Sequence, residues 1–104
     1  MKVLVIDPDP ESRDSLRRAL CAASLQARGV ATAGEGSRHL AELLPDAVVV
    51  AVDLPDGSAD RLLSEAALDP RRAVWALVPQ DRLDLAVAAI GLGAEDLLWR
   101  PISL

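Results

Sequence analysis

Tyrosine and phenylalanine are absent, and Trp75 and Trp99 are the chain's whole aromatic complement. Stacking platforms for bases and aromatic-lined pockets for flat ligands need more than that. A basic excess is absent too. The net charge is −5, with acidic and basic residues interspersed, whereas a phosphate backbone needs a basic face. Cys21 is the single cysteine, so no internal disulfide can form. Set in an Ala-rich helical stretch, it reads as a small buried hydrophobe. No apolar run reaches the length that crosses a bilayer. The Val3–Ile6 run is too short for a signal peptide and leads straight into Asp7. The expectation is a cytoplasmic protein with no cofactor and no nucleic-acid or membrane partner.

What is present is a chain of 104 residues that is 51% hydrophobic. That suits one packed domain over residues 1–104 and disfavours disorder. Short, non-alternating apolar runs recur at Val3–Ile6, Ala47–Val52, Val74–Val78 and Leu97–Trp99. Such runs predict strands buried on both faces, and a weaker strand is expected around Leu25–Thr32, interrupted by Gly29.

Helical patterns lie between them. Asp9 suits an N-cap and Pro10 the first helical position, with Leu16, Ala19, Leu20 and Ala23 sharing a face. Ser37 is expected to cap a second helix with Leu40, Leu43 and Leu44 on one stripe, and Ser58 a third with Leu62, Leu63 and Ala66 inward. Asp81 is expected to cap a fourth that buries Leu83, Ala86, Val87 and Ile90, with Gly91 as its left-handed end. The order βαβαβαβαβ predicts an α/β parallel sheet, wound right-handed, with helices on both faces. Ser103 would cap a fifth helix, but Leu104 is the last residue given. The expectation is a fifth helix that is missing or truncated, either because the sequence is a piece of a longer protein or because one sheet face is half covered. A bare face of that kind invites self-association.

Functional groups in such a sheet collect beyond the C-terminal ends of the strands. Those ends carry Asp7 and Asp9, then Ala51 to Asp53, then Val78-Pro79, then Arg100-Pro101. Four segments, Lys2–Pro10, Val30–Gly36, Pro45–Ser58 and Gly93–Pro101, resemble in order and spacing the receiver domain of bacterial two-component response regulators, over nearly the whole chain. The resemblance implies a flavodoxin-like, CheY-like, doubly wound five-stranded sheet of order 2-1-3-4-5. It also implies phosphoryl transfer to an aspartate ending strand three, assisted by a carboxylate-held divalent metal, a Thr or Ser ending strand four and a Lys ending strand five.

The chain departs from that pattern at nearly every position. The acceptor position, five residues after Asp46 and four before Pro55, holds Ala51, whose methyl cannot be phosphorylated. Asp7 is kept, but the main metal carboxylate is replaced by Pro8, which has neither a ligand side chain nor an N–H. Val78 stands for the hydroxyl, Arg100 for the lysine and Leu97 for the strand-five aromatic. Arg100 keeps the charge but replaces a point donor by a planar fork. Losing one donor at such a site typically costs several kcal/mol of transition-state stabilisation, and losing the nucleophile is decisive by itself.

The expected function is therefore a non-enzymatic, non-phosphorylatable pseudo-receiver in signal transduction, acting on a protein partner or an output domain. Its vestigial pocket would be Asp7, Pro8, Asp9, Ala51, Asp53, Val78 and Arg100. Leu97 and Trp99 are interface candidates, with Trp99 either exposed as an anchor or filling the space of the absent helix. One alternative is an atypical receiver phosphorylated at Asp53 or Asp7, or binding a divalent ion weakly through Asp7, Asp9 and Asp53; the plainer reading of Asp53 is a solvated carboxylate opening a turn. Asp7 and Arg100 either pair across the vacated pocket or are solvated separately. A flavodoxin-like nucleotide or flavin binder is a further alternative, disfavoured by the anion-repelling Asp7-Pro8-Asp9-Pro10 loop. His39 reads as a surface residue and Arg71-Arg72 as a solvated turn.

Overall fold

The computed structural model describes residues 1–56 and 59–102. The elements run β1 (Lys2–Ile6), α1 (Pro10–Ala22), β2 (Gln26–Val30), α2 (Ala33–Leu43), β3 (Ala47–Ala51), α3 (Ala59–Ala66), β4 (Ala73–Val78), α4 (Leu83–Gly91) and β5 (Asp96–Trp99). All strands are parallel, in the order β2-β1-β3-β4-β5. The expected α/β sheet and its strand order are therefore found, with four helices among the described residues.

The strands form where apolar side chains run without interruption, because β1 and β3 are covered on both faces, while β4 leaves Trp75 38% exposed on the α1 side of the sheet. The pleat divides their residues between two cores. Leu4, Ile6, Val48, Val50, Ala76 and Val78 pack against Leu40 of α2, Leu62 and Leu63 of α3, and Ala86 and Ala89 of α4. Val3, Val5, Val49, Ala51 and Leu77 pack on the other face against Leu16 of α1. Burying one Leu or Ile completely contributes about 1.5–3 kcal/mol, and Leu4, Ile6, Leu63 and Leu77 are each fully buried.

Two helix starts differ from expectation. Thr32, not Ser37, caps α2: its Oγ1 accepts from the Glu35 N–H at 3.2 Å and donates to Glu35 Oε1 at 3.2 Å. Thr32-x-x-Glu35 has the sequence pattern of a capping box, with the Glu35 carboxylate taken by the Thr32 hydroxyl, and Ser37 lies inside the helix, donating to the Glu65 carboxylate at 3.0 Å. Arg82, not Asp81, precedes α4, with no side-chain cap bond, because Asp81 is in the left-handed region at φ 68°. At α1 the expectation holds, with Asp9 as the cap and Pro10 at the first turn. The expected Ser58 cap and the Ser103 position lie outside the described residues.

The buried face of α4 also differs. Leu83, Val87 and Ile90 are exposed, while Ala86 and Ala89 are buried and Leu85 packs against the core. The helix is apolar nearly all round, so periodicity does not select a face; the small Ala86 and Ala89 face the sheet. Gly91 is not its left-handed end. Leu92 ends the helix at φ −94°, and Gly93 takes φ +115°, where a Cβ would come within 2.6 Å of the Ala67 Cβ.

Three side chains sit elsewhere than the sequence suggests. Cys21 is exposed, because α1 turns it away from Leu16. His39 is buried, and its Nδ1–H donates to the Glu35 carbonyl one turn back, at 2.8 Å. Arg72 is held rather than solvated: its Nε donates to the Pro45 carbonyl at 2.9 Å and its Nη1 to the Ala66 carbonyl at 3.3 Å.

Gly36 marks the closest approach of α2 to the sheet. A Cβ there would stand 2.7 Å from Ile6 Cδ1 and 3.1 Å from Cγ1, and Ile6 is fully buried. Alanine would regain about 1 kcal/mol of helix propensity and mask the clash, so Gly36→Val is the cleaner probe. It is expected to lower stability by about 1–3 kcal/mol, read as a lower urea midpoint at unchanged slope.

Candidate functional site

The C-terminal ends of β1, β3 and β5 bring four charged residues into one cluster. Asp7 follows β1, and its N–H continues the ladder to the Val30 carbonyl at 3.0 Å. Its side chain is fully buried. Arg100 follows β5, and its N–H bonds the Val78 carbonyl at 2.8 Å, which aims the side chain back over the sheet toward Asp7.

The contacts around Asp7 are dense. Oδ1 accepts from the Asp9 N–H at 3.1 Å and from Arg100 Nη2. Oδ2 accepts from the Ser12 hydroxyl, and that hydroxyl in turn accepts from Arg100 Nη1 at 2.8 Å. Arg13 Nη1 donates to the Asp7 carbonyl at 2.9 Å, its stem lying over Gly29, where a Cβ would come within 2.9 Å of Arg13 Cγ. Of the two readings of Asp7 and Arg100, pairing is the one found.

Arg100 reaches two more carboxylates. Nη2 lies 3.4 Å from Asp53 Oδ1, and Nη1 lies 3.8 Å from Asp9 Oδ2. Only 16% of its side chain is exposed, and among the described residues its buried Nε has no acceptor. Burial works to lower the guanidinium pKa, but the hydrogen bond and charge of Asp7, followed by those of Asp53, outweigh it and raise Arg100 above its ordinary value. Arg100 is charged wherever the chain is folded.

The other expected pocket positions are not in this cluster. Ala51 is fully buried, and its methyl belongs to the core on the α1 side. Val78 is fully buried in the opposite core. Pro8 is half-buried between the two aspartates. Leu97 packs largely against the core, whereas Trp99 is 42% exposed and lines a groove of about 560 Å³ with Leu83, Gln80 and Pro101. A second cleft, of about 470 Å³, opens beside Arg100 between Ser12, Ser15, Gln80 and Pro101.

Ser12 and Arg13 are the site residues that the sequence did not single out. A signal for Ser12 existed: it is the third helical residue after the Asp9 cap, and helix side chains tilt toward the N-terminus, which here is the site.

The donor set does not suit a divalent metal. Asp7, Asp9 and Asp53 all face one guanidinium, and Pro8 offers no ligand. Among the described residues no group of three or more His, Cys, Asp or Glu side chains is placed to hold a metal ion. The expected weak ion site at Asp7, Asp9 and Asp53 is therefore not formed, because Arg100 stands between the carboxylates. Nor is any described helix long and apolar enough to cross a membrane.

No protein-family model matches the chain. The chain is 30% identical over 105 residues to the transcriptional regulatory protein PrrA of Mycobacterium leprae, a match spanning 99% of the chain and 45% of PrrA. The chain thus spans about half the length of that relative. Among solved structures, it matches a response regulator receiver domain protein from Clostridium thermocellum with a TM-score of 0.85 at 27% identity, covering 98% of this chain and 83% of the other. A CheY-like receiver domain protein from Methanospirillum hungatei JF-1 matches with a TM-score of 0.88 at 24% identity, over 98% and 82% of the two chains. The architecture is the CheY-like receiver fold.

Proposed function

We infer that this chain, a response-regulator receiver domain of the CheY-like type, is a signalling module that acts by protein contact and accepts no phosphoryl group. The observation that carries the reading is Ala51: the residue at the end of β3 is a methyl sealed in the core. Three neighbouring positions support it. Val78 has no hydroxyl and is fully buried, Pro8 cannot ligate a metal, and Arg100 is engaged by Asp7 and Ser12. The machinery of phosphoryl transfer is positioning and charge stabilisation, and of its parts Asp7 alone is kept as such.

A signalling role without catalysis leaves recognition as the function. The PrrA relative, a transcriptional regulatory protein, is longer than the chain, which favours an output domain or a separate protein as the partner, in the cytoplasm. Trp99 is the anchor best placed for contact, because aromatic side chains concentrate interface energy. Self-association is a further outcome of the same surface.

Asp53 carries a second reading, as a displaced acceptor, because it is exposed and lies 3.4 Å from a cation. Its weakness is that Val78 and Pro8 are wrong for phosphoryl transfer wherever the acceptor sits. The nucleotide or flavin alternative has no support: the loop after β1 presents Asp7 and Asp9, not a row of amides.

The test is a two-dimensional NMR titration with beryllofluoride and magnesium. The amides of Ala51, Asp53, Val78 and Arg100 are expected to hold their positions. Saturable shifts at those amides would sink the reading, and their loss in Asp53→Asn would move it to the displaced acceptor.

A further inference from the structure

The opening amides of α2 are served by a residue far along the chain. No helix satisfies its first N–H groups from within. In α2 the Glu35 N–H goes to Thr32 Oγ1 and the Gly36 N–H to the Thr32 carbonyl. The Ala33 N–H goes instead to both carboxylate oxygens of Asp56, at 3.2 and 3.1 Å. The Gly34 N–H lies 3.4 Å from Asp56 Oδ2. Asp56 follows β3, so it caps a helix that lies before that strand in the chain. Its charge also meets the positive end of the helix dipole.

The same short segment is held at its other end. The Val52 N–H extends the sheet to the Leu77 carbonyl at 3.0 Å, and Asp53 Oδ1 lies 3.4 Å from Arg100 Nη2. Only Leu54 and Pro55 separate the two acids, and neither leaves slack. Leu54 is buried in the core that α2 and α3 cover, and the Pro55 ring fixes its own φ.

We propose that residues 52–56 are a strap coupling the charged site to the start of α2: Asp53 pins it to Arg100, Asp56 clamps the first turn of α2, and release of the first pin loosens the clamp. The physical basis is that a short stiff segment passes a displacement at one end to the other. An anionic group that draws Arg100 away from Asp53 is then felt at Ala33 and Gly34, with no covalent change in the chain. The inference rests on these contacts and is independent of whether the chain accepts a phosphoryl group.

The test is hydrogen exchange by NMR on the full chain at the Ala33 and Gly34 amides. The β3 amides of Val49 and Val50 report global opening alongside them. In Asp56→Ala the two α2 amides are expected to exchange about tenfold faster, as for a lost helix cap. Asp56→Asn keeps an acceptor oxygen without the charge and should give a smaller acceleration. Asp53→Asn touches no atom of α2, yet is expected to speed the same two amides about threefold, toward the low end of coupling energies between linked residues. In every variant Val49 and Val50 should hold their native rates. Ala33 and Gly34 at native rates in Asp53→Asn would leave a cap without coupling and overturn the proposal. Native rates there in both Asp56 variants overturn it as well, as does equal acceleration at Val49 and Val50, which marks general loosening.

Discussion

Arg100→Met lowers the unfolding free energy by about 3 kcal/mol, toward the lower end of the cost of stripping one partner from a buried ion pair. The lower end applies because the arginine side chain keeps 16% exposure and because Asp7 keeps two other donors, the Asp9 amide and the Ser12 hydroxyl. Methionine retains the apolar stem, so the loss reports the missing charge more than a cavity. The double variant Asp7→Asn/Arg100→Met is expected to recover much of the loss, since replacing both members of a buried pair leaves no uncompensated charge. The coupling energy between the two positions should then be about 2 kcal/mol, within the range for contacting residues. Urea unfolding of the four chains measures it. Additive effects would show that the pair contributes nothing beyond two independent solvated groups.

Ala51→Asp, which restores the acceptor residue, is the second large effect. It is expected to lower stability on the order of 3 kcal/mol and to leave the chain unphosphorylated. Ala51 is fully buried and packs with Val5, Leu77 and Leu16, so a carboxylate there enters an apolar core. The cation of the site, Arg100, is already engaged by Asp7 and Asp53. Even an ionised Asp at this position would find Val78 where a hydroxyl donor is required and Pro8 where a metal ligand is required. Denaturant unfolding and mass analysis of the same preparation read both outcomes. A stable Ala51→Asp chain that takes up phosphate would mean that one substitution alone separates this protein from a working receiver.

The sheet is legible in the sequence because its inner strands are largely buried: Val3–Ile6, Ala47–Val52 and Ala73–Val78 are short uninterrupted apolar runs bounded by polar residues or proline. The site is legible in outline for the same reason, since strand ends are where side chains of different elements converge. The Asp7–Arg100 contact is legible only as one of two readings, pairing or separate solvation, because two residues far apart in sequence give no local signal of which rotamer each adopts; the structure shows the pair. The inner face of α4 is hidden by composition, with Leu83, Val87 and Ile90 competing with Leu85, Ala86 and Ala89, and only the sheet decides. The start of α2 is readable after all: Thr32-x-x-Glu35 has the capping-box pattern, a stronger signal than the isolated Ser37. His39 and Cys21 went the other way for a geometric reason. His39 lies beside Leu40 on the covered side of α2 and satisfies its Nδ1–H on Glu35, while Cys21 lies off the Leu16 stripe of α1.

The most direct test of the account is the intact mass of the native chain after incubation with acetyl phosphate and magnesium. The account predicts a single species at the mass of the unmodified polypeptide. A species heavier by one phosphoryl group, lost on mild base treatment as an acyl phosphate is, would contradict it.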